Sequence, residues 1–178
     1  MRFKEKTLKT LEYDKILNML ADCALTEGAK ELALSLGPSE HIAVILRRQR
    51  HTSDAVRLIN AKGTPSFGRI KDVDEICDRA DKGAILTTRE LLDAANVLRT
   101  SRSLLDYIRA NKLFETSLDE IFERLIPDRK IEDKIYRTII AEDMIADEAS
   151  AELSLIRRKI KASNNKIRDI LAKYTSGA

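Results

Sequence analysis

The sequence is poor in the residues that build disulfide scaffolds and metal centres. Its 178 residues include no tryptophan, 4% aromatic residues, three prolines, two cysteines and two histidines. Cys23 and Cys77 have no further cysteine or histidine at the spacing of a redox pair or a zinc site, so both are predicted to be buried free thiols. His41 and His51 are too far apart in the sequence for the i, i+4 pair of a helical metal site. These absences exclude a zinc centre and a disulfide framework.

Long apolar runs and nucleotide-binding motifs are absent as well. No stretch approaches the roughly 18 apolar residues of a membrane-spanning helix. The charged first residues lack the apolar core of a secretory signal, so a cytoplasmic location without membrane contact is expected. Residues 63–68 hold two glycines in a turn-rich loop but lack the Lys and Ser/Thr of a phosphate-binding loop.

The candidate carboxylates for metal-dependent chemistry lie between residues 72 and 78. Asp72, Asp74, Glu75 and Asp78 form the densest group, but no second cluster or histidine accompanies them, and nuclease chemistry needs carboxylates gathered around a divalent ion. We interpret them as charges at a helix N-terminus, where the helix dipole favours them. From its residues alone, the chain is predicted to hold no catalytic residue, no cofactor-binding residue and no metal ligand.

What the chain does contain is helix-forming sequence. Hydrophobic residues make up 43% and charged residues 34%, a mixture typical of a helical protein. Apolar stripes with a 3.6-residue period predict an all-α fold. The first predicted helices cover residues 11–24 and 26–36, and a long third helix is capped by Ser39 and closed by Gly63. A short helix follows near 73–80, and two more begin at capping boxes, at Thr87/Glu90 and at Ser117/Glu120. The stripe at Ile131, Ile135 and Ile139 predicts one further helix.

The most informative pattern lies in the last helix, which Ser150 is predicted to cap. Apolar residues recur there at alternating spacings of three and four, the a and d positions of a heptad, with one polar interruption. The predicted coiled-coil seam consists of Leu153, Ile156, Ile160, Ser163, Ile167, Ile170 and Tyr174. The sequence thus predicts a helical core domain (1–140), an acidic linker (141–150) that holds at most one short extended segment, and a long protruding coiled-coil helix (151–178).

Such a seam requires a facing helix, because a lone apolar stripe in water is an uncompensated surface. No equally long helix follows in this sequence. The partner is therefore expected to be a downstream arm of a longer protein or a second copy of the chain. If a second copy supplies it, we expect a concentration-dependent dimer, because Ser163 weakens the pairing.

The last helix is also basic. Residues 151–178 carry seven Lys and Arg against two Asp and Glu, whereas residues 112–150 carry six against eleven. The candidates for contact with nucleic-acid phosphates are Arg157, Arg158, Lys159, Lys161, Lys166, Arg168 and Lys173. They surround the helix and are not interleaved with aromatic residues, which favours a solvated outer face of a coiled coil over contact with nucleic acid.

Several segments, in order, resemble those of the bacterial MutS type 2 family, MutS paralogues that lack a mismatch-reading domain. The matching stretches are 8–17 (LKTLEYDKIL), 31–33 (ELA), 36–38 (LGP), 53–58 (SDAVRL), 63–73 (GTPSFGRIKDV), 82–92 (KGAILTTRELL) and 147–158 (DEASAELSLIRR). The resemblance departs at 141–146, where the family usually has a glycine-containing turn.

The resemblance implies a role that the residues alone do not. In that family this region is the N-terminal part of the core domain, leading into the lever, an antiparallel helix pair that carries a clamp. Downstream lie an ATPase that uses ATP and Mg²⁺ and dimerises, and a C-terminal Smr endonuclease domain. The implied roles of the whole protein are DNA binding with suppression of homologous recombination, and splitting of collided ribosomes.

Two functions therefore remain open. The first is a core and lever segment without catalytic activity of its own, taken from a homodimeric parent ATPase and endonuclease that binds DNA, ribosomes or both. The alternative is a stand-alone helical adaptor that binds nucleic acid or a partner through its basic last helix.

Overall fold

The computed structural model describes residues 5–68, 70–110, 112 and 114–177. The described residues form nine α-helices, one 3-10 helix and one two-stranded antiparallel sheet, so the predicted all-α class is confirmed. The helices are α1 (Glu5–Thr10), α2 (Tyr13–Asp22), α3 (Glu27–Leu34), α4 (Ile42–Lys62), α5 (Asp74–Asp81), α6 (Thr88–Arg109), α7 (Asp119–Phe122), α8 (Arg129–Thr138) and α9 (Ala151–Ser176); β1 (Ile139–Ala141) and β2 (Met144–Ile145) form the hairpin, and Asp147–Ala149 is the 3-10 helix.

Helix α6 is the centre of the core. It carries five buried residues: Ala95, Thr100, Leu104, Leu105 and Ile108. The predicted capping box starts this helix: Thr87 Oγ1 accepts from the Glu90 amide, and the Glu90 carboxylate accepts from the Thr87 amide. Glu90 also binds Arg79 of α5 at 2.6 Å. Hydrogen bonds from the Thr87 amide and the Arg79 guanidinium lower the pKa of Glu90, so the cap carries a charge at neutral pH.

Helix α8 packs along α6, and a two-pronged ion pair joins them. The Arg102 guanidinium donates to both carboxylate oxygens of Glu132, at 2.9 and 2.8 Å. Glu132 is only 4% exposed. Donation from Arg102 lowers the pKa of Glu132 despite this burial. The pair therefore fixes α8, and with it the hairpin that follows, to the core helix.

Helix α4 meets α6 where both helices end. Lys62 Nζ donates to the carbonyls of Tyr107 and Ile108 in the last turn of α6, at 3.1 and 3.2 Å. In return, Tyr107 Oη donates to the carbonyl of Gly63 at 2.8 Å. Gly63 closes α4 as predicted, with φ of 78°, in the region that favours glycine. These reciprocal bonds satisfy carbonyls that a helix end leaves without an intrahelical partner.

Two predicted helix caps are wrong. Ser39 does not cap α4: its Oγ accepts from the amide of His41, and α4 begins at Ile42 without a side-chain cap. Ser117 does not open a capping box either, because its amide and hydroxyl both donate to one carboxylate oxygen of Asp54 on α4. These two bonds lower the pKa of Asp54. Asp54, on a distant helix, thus takes the place of Glu120 as the acceptor for the Ser117 amide.

The first predicted helix, over 11–24, corresponds to the shorter α2, and α1 precedes the predicted range. The two helices are separated at Glu12, which has φ of 53° and ψ of 34°. A left-handed conformation costs a non-glycine residue roughly 1–2 kcal/mol. Tyr13 Oη donates to the carbonyl of Leu36 at 3.3 Å, which fastens the start of α2 to the end of the following segment. Helix α2 then packs on α3.

The chain leaves much apolar surface uncovered. Its accessible area is 14519 Å², about 1.7 times what the size scaling of folded monomers gives for a mass of 20.1 kDa. Leu11, Leu25 and Leu32 are each about 70% exposed. Cys23 and Cys77 are exposed free thiols, so the prediction that they are buried is wrong. The core built around α6 is thus too small to cover the apolar faces of the outer helices.

No described helix contains a stretch that is long and apolar enough to cross a membrane.

Candidate functional site

Helix α9 is the most exposed long element. It has 26 residues, which corresponds to about 39 Å at 1.5 Å per residue. Ser150 caps it as predicted, since its Oγ accepts from the amide of Leu153 at 3.0 Å. Its main contacts are with the 3-10 helix that immediately precedes it. Beyond its first turns, α9 therefore extends into solvent.

The first two turns of α9, residues 151–157, form the root of this helix, and the β1–β2 hairpin holds them in place. Two paired strands span the end of the predicted core domain and the start of the predicted linker, with Ile139 opposite Ile145 and Ala141 opposite Met144. Ile139, which was predicted to continue a helical stripe, therefore lies in a strand, because α8 ends at Thr138. The Arg157 guanidinium donates to the Ile145 carbonyl at 2.7 Å and to the Asp147 carboxylate. This arginine joins the second turn of α9 to both the hairpin and the 3-10 helix.

The hairpin is in turn anchored to the core. The Thr88 hydroxyl, in the first turn of α6, donates to the carbonyl of Glu142 at the hairpin turn. Arg89 lies 3.8 Å from the Glu142 carboxylate. Ile139, in the first strand, is buried. A continuous set of contacts thus leads from α6 through the hairpin to α9.

The predicted seam residues of α9 share one face of the helix and remain in contact with water. Leu153 is half-buried near the root. Ile156, Ile160, Ile167 and Ile170 are between 45% and 54% exposed, and Tyr174 is 79% exposed. Ser163 is exposed on the same face. The stripe that the sequence predicted is present, and no part of the described chain covers it beyond its first turns.

The seven predicted phosphate contacts behave in two ways. Arg157 is half-buried and engaged with the hairpin, so it is a structural residue of the root. Arg158 is exposed and donates to the hydroxyl of Ser154 at 3.0 Å. The remaining five are exposed along the protruding part of the helix: Lys159, Lys161, Lys166, Arg168 and Lys173.

Elsewhere the described residues offer no constellation for catalysis. They contain no group of three or more His, Cys, Asp or Glu placed to hold a metal ion. In the predicted acidic cluster, an Asp72 carboxylate oxygen accepts from the amide of Asp74 in a local turn before α5. Asp74 and Glu75 lie in the first turn of α5, where the helix dipole favours them.

An apolar cavity of about 420 Å³ lies between α4, α6, α7 and the loop that follows α4. Its lining includes Leu58, Phe67, Leu104 and Phe122, and no charged side chain. Tyr107 contributes a hydroxyl there, but that hydroxyl already donates to Gly63. The cavity has no reactive group to offer a substrate.

Sequence reasoning missed the root of α9. Thr88 and Arg157 hold it by donating to backbone carbonyls. Every residue has such a carbonyl, so the sequence does not indicate which one will accept. One usable signal existed: the β-branched pair Ile139–Ile140, before a short acidic turn, is typical of a strand.

No protein-family model matches the chain. The Endonuclease MutS2 of Acetivibrio thermocellus is 43% identical over 171 residues, 94% of this chain and 21% of that protein. The protein of the same name from Ruminiclostridium cellulolyticum is 39% identical over 170 residues, with the same coverage of each chain. That from Clostridium perfringens is 35% identical over 167 residues, 93% of this chain and 21% of the relative.

The chain thus spans about one fifth of the length of the curated relatives that it matches. The similarity extends over nearly all of its residues, from the α1–α3 segment to the seam of α9. Nearly the whole chain thus matches one segment of the MutS2 proteins.

Proposed function

We propose that this segment is the N-terminal core and the first lever arm of a MutS2-type protein, with no catalytic activity of its own. The single observation that carries the proposal is α9, an exposed apolar seam on a helix rooted in the core. A seam of this kind is stable in water only when another helix covers it. We place that helix in the remaining four fifths of the protein, which are longer than this segment.

In this proposal the segment transmits movement. A change in nucleotide state at a distant ATPase would reach the clamp through α9, because a continuous helix is stiff over its length. The Arg157 contacts with the hairpin and the Arg102–Glu132 pair would keep the root of α9 fixed to α6. ATP and Mg²⁺ would bind in the rest of the parent, and DNA or the ribosome would be its target. By the family resemblance, the parent would restrain homologous recombination and split collided ribosomes in the cytoplasm, acting as a homodimer.

The test uses a full-length chimera, in which this chain replaces the matching part of the Acetivibrio thermocellus relative. The variant Ile160→Glu/Ile167→Glu places two carboxylates in the seam and should prevent pairing. The control Arg158→Glu/Lys161→Glu places two carboxylates on the outer face and changes the net charge by more, −4 against −2. DNA affinity is measured with and without ATP and Mg²⁺. We expect the ATP effect on DNA affinity to disappear in the seam variant and to persist in the outer-face variant, with nucleotide binding unchanged in both. An ATP effect of equal size in both variants would contradict the transmission role.

The alternative function is a helical adaptor that binds nucleic acid through α9. The seven Lys and Arg against two Asp and Glu in residues 151–178 favour it. Fluorescence anisotropy with labelled duplex DNA distinguishes the two functions, since contacts made by phosphates alone weaken steeply with salt. Tight binding by this chain that survives high salt would favour the adaptor.

A further inference from the structure

The two flanks of the α9 seam differ in charge. With Leu153, Ile160, Ile167 and Tyr174 at position a of the heptad, Ile156, Ser163 and Ile170 occupy position d. Position g, which borders the seam on one side, is then Glu152 in the first turn, followed by Lys159, Lys166 and Lys173. All three lysines are exposed along the protruding part of the helix.

The other flank has no free charge to match. Position e is occupied by Arg157, Asn164 and Leu171. The Arg157 guanidinium is engaged with the Ile145 carbonyl and the Asp147 carboxylate at the root. Asn164 is neutral, and Leu171 is 58% exposed, which widens the apolar seam on this side. The charge that a partner helix meets beyond the root is therefore a single row of lysines.

This row determines which helix can pair well. Residues at e and g face one another across a coiled coil, where opposite charges favour a partner and like charges reject it. In an antiparallel pair, g residues meet g residues. A second copy offers only Glu152 against three lysines. If Glu152 pairs with Lys173 of an antiparallel copy, Lys159 meets Lys166. If Glu152 pairs with Lys166 instead, Lys159 meets Lys159 of the copy. Both registers that pair at least two heptads therefore also bring lysines together.

We propose that the helix covering α9 carries carboxylates opposite Lys159, Lys166 and Lys173, so that α9 selects an acidic helix over an antiparallel second copy of itself. This inference rests on the proposed function in one respect, that α9 pairs with another helix at all. It goes further because it defines the partner by its charge. The expectation of self-association considered the apolar seam alone; for antiparallel pairing, the lysine row favours a different, acidic helix instead.

The test compares two synthetic peptides of three heptads, both with Ile at a and Leu at d. One has Glu at every e and g position, and the other has Lys at these positions, so that repulsion limits pairing of either peptide with itself. Each labelled peptide is titrated with the intact chain, and binding is followed by fluorescence anisotropy. We expect the acidic peptide to bind about tenfold tighter or more at low salt, and the difference to shrink as salt increases.

Two variants with the same change in net charge locate the effect. Lys159→Glu/Lys166→Glu/Lys173→Glu alters the flank of the seam and should reverse the preference, so that the basic peptide binds better. Arg158→Glu/Lys161→Glu/Arg168→Glu alters the outer face and should leave the acidic peptide preferred. Circular dichroism checks that α9 remains helical in both variants. We expect it to remain so, because the substituted side chains are exposed and make room for glutamate.

Two results would overturn the inference, and they differ in what they say of the proposed function. Equal binding of both peptides, or a reversal caused by the outer-face variant as well, would show that α9 pairs without using the g lysines. Absence of binding to either peptide would show that α9 does not pair through its seam, and the lever role would then fail with it.

Discussion

Replacement of Arg102 tests how the root of α9 is fixed to the core. Arg102 donates two hydrogen bonds to Glu132, which lies on α8, the helix that leads directly into the hairpin. In Arg102→Met the apolar stem is kept and the guanidinium is lost. The Glu132 carboxylate, whose side chain is 5% exposed, is then left without its charged partner.

The expected loss of unfolding free energy depends on how deeply each of the two side chains is buried. Removing one partner of a fully buried ion pair costs roughly 3–5 kcal/mol, because the other charge stays uncompensated. Here the Arg102 side chain is 34% exposed, so water screens part of the interaction, and we expect about 2–3 kcal/mol. Arg102→Met/Glu132→Leu removes both charges, and its cost should be below about 1 kcal/mol because no buried charge remains.

Urea unfolding followed by circular dichroism measures these differences without adding salt. The single variant should unfold at lower urea with an unchanged slope, and the double variant should regain most of the loss. Lys15→Met is the matched control, since its 2.7 Å pair with Glu12 is exposed on both sides and should contribute little. A loss of stability in Arg102→Met no larger than that in Lys15→Met, or a double variant as unstable as the single one, would show that the Arg102–Glu132 pair does not fix α8 to α6.

Four further outcomes are expected. Because the pKa of Glu132 is lowered in the folded chain, the stabilisation from its ion pair is present above the ordinary carboxyl pKa and disappears as pH falls through the lowered value; the loss of urea stability between pH 7 and pH 3 should therefore be smaller in Glu132→Gln than in the unaltered chain. Calorimetric titration of this chain with ATP and Mg²⁺ should be silent, since the sequence lacks a phosphate-binding loop, and saturable heat would contradict the proposal. Anisotropy with DNA should give weak, sequence-independent binding that collapses between low and physiological salt; binding that distinguishes sequences would count against this. Arg157→Ala should accelerate amide hydrogen exchange in the hairpin and the first turns of α9, whereas Arg158→Ala should not. Equal exchange in both variants would show that Arg157 does not hold the root of α9 in place.

Short-range features of the fold were predictable from the sequence. Thr87 with Glu90, Ser150 and Gly63 each act on residues at most four positions away, so their roles follow from the local pattern. The seam of α9 was predictable for the same reason, because one helix determines which of its residues share a face.

Features that depend on distant partners were not predictable. Ser117 has a local signature of a capping box, yet Asp54 lies 63 residues away and takes both of its donors. Tyr13 likewise donates to the carbonyl of Leu36, which lies 23 residues away. Cys23 was predicted to be buried because its stretch is amphipathic, but the described residues leave it exposed. An apolar pattern indicates that a face needs a partner, and does not indicate whether the partner belongs to the same segment.

The most direct test of the central claim measures whether the seam of α9 is covered in a whole MutS2-type protein. A spin label is attached to Ile160→Cys in the seam and, separately, to Lys161→Cys on the outer face, in backgrounds without other cysteines. Collision with a water-soluble paramagnetic reagent is compared between this chain alone and the full-length chimera. The account predicts that both labels are accessible in the isolated chain, and that only the seam label becomes protected in the chimera. Equal accessibility of the seam label in the two proteins would contradict the claim that another helix covers α9.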